Sequence, residues 1–156
     1  MLQIRPAQRR DIPGLLRLLA QVNLVHHRGR PDLFRAATKY GEAELARMLD
    51  RPEEVTIFVA EESGDVLGHA FCMLQEVRGD RLLEDRRTLY VDDICVDENC
   101  RGRGVGRALY RHVLAWAKEQ GCYNLTLNVW ACNPGALEFY RRCGLEVQKY
   151  GMETLL

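Results

Sequence analysis

Residues 91–106, VDDICVDENCRGRGVG, join an apolar, strand-like run to a glycine-rich turn that opens a helix. Gly102, Gly104 and Gly106 stand at every second position, where they let the backbone take positive φ and approach a ligand with no Cβ in the way. Backbone N–H groups of such a turn, with the unpaired donors and positive dipole end of the following helix, hold a phosphate or pyrophosphate largely through main chain. Arg101 and Arg103 flank the turn and add charge. A dinucleotide fingerprint needs its third glycine one position later, and the nucleotide loop G-x-x-x-x-G-K-[ST] is absent. What remains is Arg-x-x-Gly-x-Gly across Arg101, Gly104 and Gly106, preceded by Ile94, Cys95 and Val96. A turn whose glycines serve only tight packing is the plain alternative.

A second pattern lies downstream. Asn133, Ala136, Phe139, Tyr140 and Gly144 read N-x-x-A-x-x-F-Y-x-x-x-G after a strand-like segment. With both motifs in this order, the chain resembles the GNAT family of N-acetyltransferases over nearly its whole length. The resemblance implies a single α/β (α+β) domain spanning residues 1–156, with a mixed central sheet of six to seven strands and about four helices. It implies acetyl-CoA as cosubstrate, with the pyrophosphate on residues Arg101, Gly102, Arg103, Gly104, Val105 and Gly106. The amide-rich arm would lie like an added strand along Ile94, Cys95 and Val96, with Asn133 contributing a hydrogen bond. Tyr140 matches the family's general acid; an unperturbed phenol, with a pKa of roughly 10, is protonated at neutral pH.

Direct attack by an amine on a thioester requires no covalent enzyme intermediate, so Cys95 is not assigned as a nucleophile. The amine must lose a proton, and Asp92 and Asp93 are the candidate bases, with Glu76 in reserve. Simple strand alternation puts Asp92 and Asp93 on opposite faces, so that only one would face the acceptor. His26 and His27, in a polar stretch after the first helix, are candidate substrate contacts; a solvated loop is the alternative. The acceptor is expected to be a small-molecule primary amine. The alternatives are a peptide N-terminus or lysine side chain, or a non-catalytic acyl-CoA-binding module.

The elements that must position these residues follow from periodicity. Strands are expected at Leu2–Arg5, Val55–Glu61, Val66–Val77, Arg87–Asp97 and Leu125–Trp130, and one or two more within Leu145–Leu156. Helices are expected from Asp11 to about Val25, and over Tyr40–Asp50, Gly104–Gln120 and Pro134–Cys143. The 22 basic and 22 acidic residues balance, which argues against a nucleic-acid surface, and no apolar run is long enough to span a membrane. The six cysteines include no C-x-x-C pair and no His at zinc-finger spacing, so they read as reduced thiols without a metal. A cytoplasmic protein is expected, and a homodimer is compatible with the sequence.

Overall fold

The computed structural model describes all of residues 1–156. Its sheet has five strands in the order β1-β2-β3-β4-β5: β1 (Gln3–Pro6), β2 (Thr56–Glu62), β3 (Asp65–Val77), β4 (Arg86–Val96) and β5 (Asn124–Leu127). The first four pair antiparallel and β5 joins β4 in parallel, making the sheet mixed. Helices α1 (Ile12–Gly29) and α2 (Glu42–Asp50) cover one face, while α3 (Val105–Glu119) covers the other. A short α4 (Pro134–Arg142) follows β5.

Helical spacing of apolar residues explains the layers. Leu15, Leu18 and Leu19 of α1 are fully buried against Ile57, Val59 and Phe71, and Leu109 and Val113 of α3 bury against Ala70, Leu89 and Val91. Each such side chain contributes about 2 kcal/mol by leaving water. Near the start of the chain, Arg5 bridges Asp11 and Glu61, tying β1 to the entry of α1 and to β2. No helix is long and apolar enough to cross a membrane.

Two expectations are corrected. The sheet has five strands rather than six to seven, because residues 145–156 form no strand. They run as an irregular segment whose residues from Glu146 onward are exposed, with the Arg30–Glu153 ion pair tying it to the end of α1. The outer edge of β5 is consequently unpaired. Helix α1 also continues four residues beyond Val25, so His26 and His27 lie in its last turn rather than in a loop. That turn is held by the Arg30 N–H donating to the His26 carbonyl at 2.8 Å and by His27 Nδ1 lying 2.6 Å from the Phe34 carbonyl.

Candidate active site

The turn at 101–104 leads directly into α3, whose N-cap is Gly104. Gly102 and Gly104 both have φ of +80°, and a Cβ built on either would meet nothing within 4 Å. The backbone is left-handed there and the space above it is open. Gly106 differs: it sits inside α3, where a Cβ would come within 3.2 Å of Phe139 and 3.3 Å of Val96, so it permits close packing rather than positive φ. None of the backbone N–H groups from Arg101 to Arg107 finds an acceptor in the chain. The first turn of any helix leaves donors free, and here the preceding loop adds its own to the same place. Arg101 is exposed and unpaired, whereas Arg103 pairs with Glu62 and also reaches Cys100.

The cradle is anchored from behind. Asp97 is 5% exposed, accepts the Asn99 N–H at 2.9 Å and pairs with Arg17 of α1. Burial opposes its ionisation, but the Asn99 N–H and Arg17 outweigh it and hold the carboxyl below its usual range. The loop geometry is thereby coupled to the core.

Beside the cradle the sheet opens. Parallel pairing of β4 with β5 ends at Val91 opposite Leu127, so the β5-facing edge of Asp92–Val96 meets no strand. An extended, amide-bearing ligand fits such an edge by strand addition. Cys95 points the other way, burying its thiol near the Leu18 carbonyl; burial first, and the Asp93 charge second, push it up to about 12. A thiol so disposed is a packing group, not a nucleophile.

The two aspartates correct the expectation of opposite faces. The β3–β4 register slips between Phe71 and Cys72: Asp93 stands opposite Phe71 and Val91 opposite Cys72, leaving Asp92 as an extra, unpaired residue. This bulge breaks the alternation and turns both carboxylates to the side covered by α1 and α2. Asp92 accepts from the Tyr40 hydroxyl at 2.5 Å and from Lys39 Nζ at 2.9 Å, while Tyr40 stacks on Phe71. Asp93 Oδ2 lies 2.5 Å from His69 Nε2, and its Oδ1 has no partner. Lys39, Tyr40 and His69 were not legible as site residues, and nothing local in the sequence marks them.

Tyr140, on α4, is 8% exposed and its hydroxyl has no partner in the chain. Burial, and after it the charge of Asp93, raise its pKa well above the usual phenol value, so it is protonated at neutral pH. Asn133 caps α4 through the Ala136 N–H at 3.3 Å. His26 is half-buried; burial lowers its pKa, opposed by Asp93. Its ring lies 5.0 Å from Phe34, which meets Trp130 edge-on at 4.9 Å, giving an aromatic rim. His27 is instead turned to the Phe34 carbonyl. Glu76 is not brought to this site: it pairs with Arg87, opposite it near the far end of the β3–β4 ladder. A separate polar hollow, lined by Arg5, Arg10, Asp11, Arg17 and Asp65, contains none of these groups.

Known proteins resemble this chain in sequence and in fold. Residues 23–145 match the family model described as Acetyltransferase (GNAT) family. A glucosamine 6-phosphate N-acetyltransferase of rice, Oryza sativa subsp. japonica, is 32% identical over 144 residues, covering 91% of this chain and 79% of the rice protein. An uncharacterized N-acetyltransferase of Methanocaldococcus jannaschii is 29% identical over 92% of this chain, which spans 60% of the archaeal protein's length. Among solved structures, a tetramutant of the BH1408 protein from Bacillus halodurans superposes with a TM-score of 0.93 at 28% identity, covering 99% of each chain. A family model matching from within α1 to beyond α4, on a fold that superposes on a solved structure over 99% of the chain, leaves one conclusion: this chain belongs to the acetyltransferase (GNAT) family.

Proposed function

We propose that the protein transfers an acetyl group from acetyl-CoA to the primary amine of a small molecule, by direct attack. The observation that carries this reading is the row of unpaired N–H groups from Arg101 to Arg107, which leads to the unpaired edge of Asp92–Val96. The open, positive-φ backbone at Gly102 and Gly104 leaves room for phosphates, so the residues fit the cosubstrate. Arg101 adds a charge-assisted contact to that anion, and Arg103 contributes one on leaving Glu62. Ile94, Cys95 and Val96 offer main chain to the amide-bearing arm, and Asn133, the cap of α4, offers it a side-chain amide.

Acetyl-CoA supplies a thioester acyl group. An amine at neutral pH arrives as an ammonium ion and must shed two protons to become an amide; one ends on the thiol and one leaves to solvent. Asp93, with a free oxygen on the α1 side, takes the first of these. Asp92 is committed to Lys39 and Tyr40, which fasten the loop before α2 onto β4. Tyr140 delivers its proton to the departing sulfur and is restored by the proton the amine gives up next. The main chain of the bulged strand donates to the acyl oxygen as negative charge builds there.

A small acceptor is favoured by the cluster of the His26, Phe34 and Trp130 rings, in which His26 lies within electrostatic reach of Asp93. The test is free-thiol release from acetyl-CoA across amino sugars, amino acids, polyamines and peptides. We expect turnover with a small amine; efficient acetylation of peptide N-termini or lysines with no small amine accepted would replace this reading with a protein acceptor.

A further inference from the structure

His69 is an expensive residue for its place. It sits in the middle of Val66–Cys72, a run in which every residue is buried, and it is itself 0% exposed. One ring nitrogen meets Asp93; the other, Nδ1, is buried with no partner at all. An unpartnered polar atom in such a site costs about 1–3 kcal/mol, which an apolar side chain of similar volume would avoid. Packing alone therefore gives no reason for histidine here.

The geometry points to a positioning role: we propose that His69, through an Nε2–H donated to Asp93 Oδ2, aims the free Oδ1 of Asp93 at the acceptor amine. This rests on the reading of Asp93 as the group that accepts the amine's proton. The orphaned nitrogen is what fixes the tautomer. With no acceptor for Nδ1, the single ring proton belongs on Nε2, where Asp93 takes it. A second proton on Nδ1 would be a buried donor without a partner, so the ring orients Asp93 rather than storing the proton Asp93 receives. The β4 bulge completes the arrangement by setting Asp93 opposite Phe71, whose ring lies 5.0 Å from that of His69. Specificity follows: the site takes amines that arrive as cations and meets them with one oriented carboxylate, since Asp92 is already paired with Lys39 and accepts from the Tyr40 hydroxyl.

Two measurements on the full chain separate this proposal from the reading beneath it. Long-range proton–nitrogen spectra of the His69 ring need no substrate: the Nε2–H tautomer is expected for the neutral ring, and an Nδ1–H tautomer would overturn the proposal even if the protein proves an excellent acetyltransferase. Kinetics of His69→Gln and His69→Leu then test the role. Glutamine places an amide N–H about where Nε2 stands, so kcat/KM for the amine should fall no more than about threefold. Leucine removes the donor, and kcat/KM should fall about 10- to 100-fold with the KM for acetyl-CoA unchanged. The other groups around Asp93 are common to both variants: His26 on α1, Lys39 and Tyr40 before α2, Asp92 and Cys95 on β4, and Tyr140 on α4. Equal kcat/KM in wild type and His69→Leu would overturn the proposal, as would equal damage in both variants at native melting temperature. If the leucine variant does not fold, the glutamine variant and the ring spectrum still decide.

Discussion

A phenol that is nearly buried, protonated and without a partner holds its proton ready but stabilises nothing with it. Tyr140 meets that description, its burial and the Asp93 charge both working against ionisation until a stronger base is created next to it. A thiolate leaving the acyl carbon is such a base. Tyr140→Phe keeps the ring and its packing beside Phe139, at 5.4 Å between centroids, so acetyl-CoA affinity should be nearly unchanged. The lost proton donor should lower the single-turnover rate by about a hundredfold or more. A chemical step within about twofold of wild type would mean that water or another residue supplies the proton. The same residue scale is where sequence reading reached least far. His69 finds its partner 24 residues away, and Tyr40 and Lys39 find theirs more than 50 away, so no spacing pattern links them to the aspartates.

Elements were largely legible, because buried faces write their period into the chain: the hairpin, the four helices and the strand before the glycine turn all lie where apolar spacing puts them. The exceptions have physical causes. A one-residue bulge leaves no mark on a strand already rich in apolar residues, yet it decides which way both Asp92 and Asp93 point. The extra turn of α1 depends on the His27–Phe34 contact across the following loop, which local propensity does not contain. At the α3 N-terminus, by contrast, the glycine pattern was informative because each position has a strict requirement. Gly104→Val forces a β-branched side chain into a left-handed backbone and puts methyl groups into the open space over the turn. Calorimetry should show acetyl-CoA affinity reduced at least about tenfold, with a fold loss of only about 1–2 kcal/mol; undiminished affinity in a folded protein would remove the phosphate assignment.

At the scale of the whole molecule, two surfaces are left open. The outer edge of β5 carries unpaired backbone groups, and residues 146–156 make no backbone hydrogen bond to the rest of the chain. Val147, Tyr150, Met152, Leu155 and Leu156 stand exposed along that segment, from 45% to beyond full exposure. Covering these five side chains in two copies, together with the surfaces that receive them, suits an interface of ordinary size, about 1,600 Å² in all. A second copy of this chain offers both an extended segment and an open edge to receive it. Sedimentation at micromolar concentration should therefore give a dimer, and removal of residues 146–156 a monomer; a full-length monomer at 100 μM would refute this. The consequence reaches thermodynamics: when part of the apolar surface is hidden only by association, resistance to heat obeys mass action. For such a dimer the melting temperature would be a property of the solution as well as of the sequence, rising with protein concentration.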